Sequence, residues 1–257
     1  MRLGDAAGAA GFSLVSLESV DSTNRLALDL AEQAGANRTW VLSEVQRAGR
    51  GRHGREWASP AGNLYASLLL VSPCPPEDTP KLGFVAGLAL AETVRKLAPA
   101  SDVRLKWPND LLVGDAKLAG ILLEGRMMSG KLAGKQAVSI GMGLNILSAP
   151  DLPGRRTICL HDLGLQVDRR DVFRLLSVEM TTALAAFAGG PGFFAIRDAW
   201  SRLSLAPGTA LTVKLPLGDK AGRFAGIDTR GRLMLDTADG LVHVEAGDVF
   251  LGDLTGG

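Results

Sequence analysis

The sequence predicts an α+β fold: a mixed sheet flanked by helices, followed by a small all-β unit. Three observations carry this. Between Trp40 and Asn145, apolar runs with strand-like alternation are joined by short turns, which implies a mostly antiparallel or mixed sheet. Helical patterns over 23–34, 81–97 and 168–187 intervene. After Pro207-Gly208 the pattern changes to short strands separated by Gly-containing turns, the signature of a small barrel or sandwich. The predicted division is therefore 1–206 and 207–257. About fifty residues make a marginal core, so the second unit is expected to lean on the first.

Residues 1–11 are Gly/Ala-rich and read as frayed. Phe12 to Val20 alternates as a strand. Asp21-Ser22-Thr23-Asn24 supplies N-cap residues for a helix from Thr23 to Ala34, with Gly35 as its C-cap. Strands follow at Trp40–Val45 and Leu64–Val71. Thr79 is expected to cap a largely buried helix over 81–97, with Pro80 at its first position. Val103–Trp107 reads as a strand that Pro108-Asn109-Asp110 stops. Leu111–Val113 and Lys117–Leu123 form a hairpin around Gly114-Asp115, and Gln136–Asn145 is the next strand, with Gly141 and Gly143 leaving room on one face. A loop with Pro150, Pro153 and Gly154 leads to a helix over 168–187 and a shorter one over 193–203. The last unit shows strands at 210–215, 223–227, 232–235 and 241–244.

Composition excludes several classes. The chain has 257 residues, 46% hydrophobic, and a net charge of +1, so no basic excess marks a general polyanion binder. Cys74 and Cys159 are far apart, without metal-knuckle spacing, and read as free thiols of a reducing compartment. There is no apolar signal region and no membrane-length apolar run, so a soluble cytoplasmic protein is expected.

The chemistry centres on Gln46-Arg47-Ala48-Gly49-Arg50-Gly51-Arg52-His53-Gly54-Arg55-Glu56-Trp57, a loop between two strands. Glycine lets backbone approach a ligand closely. Arginine presents a planar fork of donors suited to carboxylate and phosphate. The pair describes a mobile loop that closes over a small anion. The same composition also occurs in nucleic-acid-binding tails, but those sit at termini or in long low-complexity segments.

Three further segments stand beside the loop. Lys106-Trp107-Pro108-Asn109-Asp110 places a lysine, an amide and a carboxylate at a strand end. Lys117-Leu118-Ala119-Gly120-Ile121-Leu122-Leu123-Glu124 starts an apolar strand with a lysine, and Ile140-Gly141-Met142-Gly143-Leu144-Asn145 ends one in an amide. Together with Ser22-Thr23-Asn24, and in this order, they resemble the biotin protein ligases, which attach biotin to carboxylase carrier domains. The motifs span about residues 15–150.

The resemblance implies a fold shared with class II aminoacyl-tRNA synthetases and an SH3-like C-terminal barrel. It implies biotin and Mg-ATP as substrates, with Mg²⁺ as the metal, and a biotinyl-5′-adenylate intermediate. A biotin carboxyl carrier protein of acetyl-CoA carboxylase, or of a related carboxylase, is the implied acceptor, and a homodimer the usual assembly. Ser22, Thr23, Asn24 and Gln46 match positions at the biotin ureido pocket or its rim. Gly49, Arg50, Gly51 and Arg52 match the loop over biotin, and Gly120 and Leu122 match backbone beside its bicyclic ring. Lys117 matches a cation between the biotin carboxylate and the α-phosphate. Arg52, Trp57, Asn109, Lys117 and Asn145 match the nucleotide side, with the adenine-packing residue unassigned. Asp110 matches a carboxylate near the attacking amine, as orienter or base. Lys117, Asp110 and Arg52 are thus the expected catalytic residues, and no resident metal ligands are expected. Some relatives carry an N-terminal winged helix; Ser22 lies too near the N-terminus for one, so no specific DNA binding is expected. His53 stands where many relatives have another basic residue. Two other readings compete: a lipoate or octanoate ligase on the same fold, and a nucleic-acid module using the Gly/Arg loop.

Overall fold

The computed structural model describes residues 1–152, 154–216 and 218–252. Pro153, expected in a loop, and 253–257, expected in the second unit, lie outside them. Chain order gives α1 (Asp5–Ala9), β1 (Ser13–Val20), α2 (Thr23–Ala34), β2 (Thr39–Gln46), β3 (Leu64–Val71) and α3 (Leu82–Leu97). Then come β4 (Val103–Lys106), β5 (Asp110–Val113), β6 (Ala116–Met127), β7 (Gln136–Leu144), α4 (Arg169–Phe187) and α5 (Phe193–Arg202). The C-terminal part holds β8 (Ala210–Lys214), β9 (Lys220–Ile227), β10 (Leu233–Thr237), β11 (Gly240–Val244) and β12 (Asp248–Leu251).

The first seven strands form one mixed sheet in the order β1-β2-β3-β7-β6-β5-β4. Only β1 and β2 pair in parallel, because α2 crosses between them; the other neighbours are antiparallel. Alternation along each strand sends side chains to opposite faces. Val41, Leu69 and Ala137 pack under Ala27, Leu28 and Ala31 of α2. Trp40, Leu42, Leu68, Val138 and Ile140 point the other way, into the large core shared with α3, α4 and α5. The helix α2 starts at Ser22, whose hydroxyl accepts from Arg25 N at 3.4 Å, and ends at Gly35 with φ 64°.

Three expectations need correction. Residues 1–11 are folded: α1 packs on α4, Ala7 is buried, and Gly4 N donates to Ser177 Oγ at 2.9 Å. Small side chains, which read as fraying, here permit close approach of backbone to a helix. Thr79 does not cap α3; a short 3₁₀ turn, Pro76–Lys81, precedes it, and Thr79 Oγ1 donates to Gln136 Oε1 at 3.0 Å. The C-terminal sheet, ordered β11-β10-β9-β8-β12, contains a fifth strand, β12, that its four residues had left unnoticed.

The two sheets do not have separate interiors. Leu211, Val213, Phe224, Leu233 and Val249 belong to the same hydrophobic cluster as Phe84, Leu105 and Trp107. Trp107 Nε1 donates to Gly231 O at 3.1 Å, and Lys106 Nζ to Val249 O at 2.8 Å. The small unit thus completes its core with apolar surface of the first, as its size requires.

Candidate active site

The site lies on the α2 face of the large sheet, where that face stops being apolar. Register places Ser67 opposite Gly141, and Gly141 opposite Leu122; Tyr65 faces Gly143, and Gly143 faces Gly120. The floor is therefore built from serine and glycine positions, while the alternate positions keep the core residues. A Cβ at Gly141 would come within 2.5 Å of the Asn24 carboxamide. Cβ atoms at Gly120 and Gly143 would lie 2.9 and 2.7 Å from the Trp57 indole. The absent side chains let Asn24 and Trp57 lie flat on the sheet.

At the α2 end the groups are neutral and hydrogen-bonded to one another. Gln46 Oε1 accepts from Thr23 N and Thr23 Oγ1 at 2.9 and 3.0 Å, while Gln46 Nε2 donates to Ser59 Oγ at 3.0 Å. Asn24 Oδ1 accepts from Ser67 and Ser139 hydroxyls at 2.6 and 2.9 Å. Its Nδ2 donates to Leu122 O at 3.2 Å and to Glu124 Oε2 at 2.8 Å. Asn24 thereby spends its full bonding capacity on the protein. It acts as a strut for the pocket wall, whereas Gln46 retains one amide hydrogen.

At the β5 end the groups are charged. Asp110 sits between Lys106, 2.9 Å from Oδ2, and Lys117, 2.6 Å from Oδ1. Both contacts are ion pairs within the buried group. Burial by itself would raise the Asp110 carboxyl, but the two ammonium groups outweigh it and hold the acid well below the usual carboxylate range. Burial pulls Lys106 down, against the attraction of Asp110. The three groups carry one net positive charge. Nearby, Asn109 Nδ2 donates to Ile121 O at 3.0 Å, which ties the β5 turn to β6.

Trp57 stands between the two ends. Lys117 Nζ lies 5.3 Å from its ring centroid, within cation–π range. Its Nε1 is buried without a hydrogen-bond partner among the described residues. The indole also borders two hollows. One, of about 380 Å³, is lined by Ser22, Thr23, Asn24, Gln46, Lys117, Gly120, Leu122 and the loop arginines. The other, of about 220 Å³, is lined by Trp57, Lys117, Asn145, Leu152 and Thr157. Asn145 lines only the second, its Nδ2 bonded to Ile158 O at 3.1 Å.

The glycine-arginine loop is folded back on itself. Gly51 N donates to Arg55 O at 2.7 Å and Trp57 N to Gly49 O at 3.0 Å, around a 3₁₀ turn at Arg52–Gly54. A Cβ at Gly49 would lie 2.5 Å from Trp57 O, so this close approach needs glycine. Each arginine has an internal carboxylate partner. Arg50 Nη2 is 3.0 Å from Glu124 Oε1. Asp248 Oδ1 takes Arg55 at 2.9 Å, Arg52 at 3.4 Å and His53 at 3.8 Å, and Arg52 also donates to Gly247 O at 3.0 Å. Burial pulls the Arg52 guanidinium below its ordinary value, opposed by Asp248.

Every site residue expected from the sequence except Gly49 and Asn145 lines the larger hollow. Gly49 closes the loop beside it. Three contributors escape sequence reasoning. Ser67 had a signal, a hydroxyl interrupting the apolar run Leu64–Val71. Tyr65 also lines the hollow; burial pushes its hydroxyl up to about 12, and it donates to Pro60 O at 2.7 Å. Asp248 had no signal, being one acid in a short strand distant in sequence.

The family model for biotin/lipoate A/B protein ligases matches residues 16–145, the segment that builds this site, and that for the biotin protein ligase C-terminal domain matches 212–252. The chain belongs to the biotin/lipoate A/B protein ligase family. Within that family, a biotin–[acetyl-CoA-carboxylase] ligase of Paracoccus denitrificans is 37% identical over 243 residues, covering 92% of this chain and 99% of that protein. The bifunctional ligase/repressor BirA of Escherichia coli is 36% identical over 238 residues, covering 90% of this chain and 71% of that one. Among solved structures, the biotin protein ligase from Aquifex aeolicus in complex with biotin and ATP superposes with a TM-score of 0.77 at 26% identity, covering 93% of this chain and 99% of that one.

Proposed function

We propose that this chain is a biotin–[biotin carboxyl carrier protein] ligase. It activates biotin with ATP and transfers it to a lysine of a carboxylase carrier protein. The observation that carries the reading is the surplus cation at Lys106–Asp110–Lys117, placed beside a neutral polar pocket of ligand size. Joining a carboxylate to a phosphate brings two anions together, and a fixed cation lowers that barrier. In the first step a biotin carboxylate oxygen attacks the α-phosphorus and pyrophosphate leaves. In the second, the carrier amine attacks the acyl carbon and AMP leaves.

In this reading Lys117 neutralises the carboxylate and the α-phosphate. Asp110, held ionised between two lysines, has a lowered pKa and is therefore a weak base, which favours a role in orienting Lys117 and the incoming amine. Ser22, Thr23, Gln46 and the backbone at Gly120 and Leu122 hold biotin, with Asn24 as their strut. Gly49, Arg50, Gly51 and Arg52 close over it. Arg52, Trp57, Asn109 and Asn145 serve the nucleotide; Arg52 and Asn109 line the larger hollow, Asn145 the smaller, and Trp57 both. Magnesium enters as Mg-ATP. No cluster of three His, Cys, Asp or Glu able to hold a metal exists among the described residues.

The reading includes a catalytic part, 1–206, and a β part, 207–257, within a cytoplasmic homodimer that has no specific DNA target. The edge strand β1 offers an unpaired side for a second copy, and the net charge of +1 supports the absence of a nucleic-acid partner. No helix among the described residues is long and apolar enough to cross a membrane. The test of the activity is pyrophosphate release on adding biotin and ATP together, and label transfer from biotin to a carrier domain. Release with lipoate or octanoate, but not with biotin, would overturn the reading.

A further inference from the structure

Glu124 closes the segment Lys117–Glu124. Its two oxygens are divided between the cavity wall and the loop. Oε2 accepts from Asn24 Nδ2 at 2.8 Å, and Oε1 pairs with Arg50 Nη2 at 3.0 Å. From Asn24 the contacts continue through Ser67, whose Oγ lies 2.6 Å from Asn24 Oδ1 and 2.7 Å from Thr23 Oγ1. Thr23 donates to Gln46 at 3.0 Å, Gln46 to Ser59 at 3.0 Å, and Ser59 Oγ to Trp57 O at 2.9 Å. The chain of contacts thus leaves the loop at Arg50, follows the pocket wall through Asn24, Thr23 and Gln46, and rejoins the loop's far end at Trp57.

We propose that Glu124 is a positioning residue that couples the polar pocket to the loop, by aiming Arg50 while it orients the Asn24 carboxamide. This rests on the ligase reading only for what the loop closes over. The coupling is a property of the protein itself. Glu124 is the one charged member of the circuit between Arg50 and Trp57. It is also the only member whose removal separates the two contacts: the amide of Glu124→Gln can still accept from Asn24, but it carries no charge for Arg50. The side chain of Arg50 is 47% exposed and that of Glu124 25%. The pair is therefore screened and its effect modest, about fivefold, which is what an exposed ion pair of typical strength gives.

The test is a double-mutant cycle on Glu124→Gln and Arg50→Gln. The first readout is amide hydrogen exchange at Gly51 and Trp57 in the ligand-free protein; both amides bond within the loop. Glu124→Gln is expected to speed exchange about fivefold without lowering Tm by more than a degree or two, on the scale of a surface ion pair. Arg50→Gln should do the same, and the double variant should add nothing. The second readout is biotinylation kinetics, where Glu124→Gln should raise KM for biotin about fivefold and leave kcat within twofold, on the same ion-pair strength. Additive effects of the two substitutions would overturn the coupling. So would a fall in Tm with kcat and KM changed together, which marks a merely structural carboxylate. The pyrophosphate assay on the parent chain decides the activity reading separately, since loop exchange needs neither substrate.

Discussion

At the α2 end of the cavity, Thr23, Asn24, Gln46 and Ser67 are neutral and satisfy one another; at the β5 end, Lys106, Asp110 and Lys117 are charged and held by attraction across 2.6–2.9 Å. The neutral end costs little to bury, because each group finds a partner, and each bond contributes about 1 kcal/mol net. The charged end is costly to bury and depends on Asp110, the one carboxylate that both lysines share. One end is built to be filled by shape and hydrogen bonds, the other to receive negative charge. The difference predicts how each end fails.

The largest effect should come from Asp110→Asn. It leaves two buried ammonium groups facing each other and should cost about 3–5 kcal/mol, the usual result of breaking a buried pair. Urea denaturation at pH 7 reads it. The sign with pH follows from linkage. Because the folded pKa of Asp110 lies below its unfolded value of about 3.9, its contribution is fully present above that pH and is lost as pH falls below it. The gap between parent and variant should stay constant from pH 8 to about 5 and narrow in stronger acid. A gap that closes between pH 8 and 6 would show that Asp110 is not held in this way.

Next comes Lys117→Gln. Removal of one electrostatic contact to a developing charge costs on the order of 10²–10³ in rate. Pyrophosphate release should fall by that factor, far more than stability, since Lys106 still accompanies Asp110. A normal rate of adenylate formation would remove Lys117 from the chemistry.

Arg52→Ala should have a smaller effect, of another kind. Loss of a charged hydrogen bond of about 1.5–3 kcal/mol should speed escape of the adenylate at least tenfold, while Lys117 still supports its formation. Biotin would then label bystander proteins. A variant that labels only the carrier would show that the loop is no lid.

The smallest effect belongs to the neutral end. Ser67→Ala removes one donor near Asn24, whose carbonyl keeps Ser139, so about 1 kcal/mol is expected. The loss should appear in KM for biotin and should be the same from pH 6 to 9, since nothing there titrates in that range. A pH-dependent loss would mean that the two ends are not independent.

Much of this was legible in the chain. The cap at Ser22, the stop at Gly35 and the hairpin around Gly114 follow from local chemistry, and the structure keeps all three. The lining of the larger hollow was legible because the Gly/Arg loop and the segments holding Asp110 and Lys117, each weak alone, occur together and in the order that resembles a known family. What was hidden depends on contacts distant in sequence. Asp248 meets the loop from 193 residues away. The pairing of Gly120 with Gly143, which makes the platform for Trp57, is a matter of strand register that no single strand specifies. The folded N-terminus was misread because glycine and alanine give no local sign of whether a partner helix waits for them.

The continuous interior shared by the two sheets has a consequence for anyone who would rearrange this protein. The 207–252 segment is a poor candidate for transplantation. Exchanging it for a homologous β unit would change the shape of the surface around Phe84, Leu105 and Trp107, and would carry away the carbonyl of Val249 that receives Lys106. A chimera would therefore inherit a fault at Lys106, a member of the buried Lys106–Asp110–Lys117 group, from a junction made more than a hundred residues downstream. Calorimetry of the intact chain should accordingly record one cooperative transition rather than two.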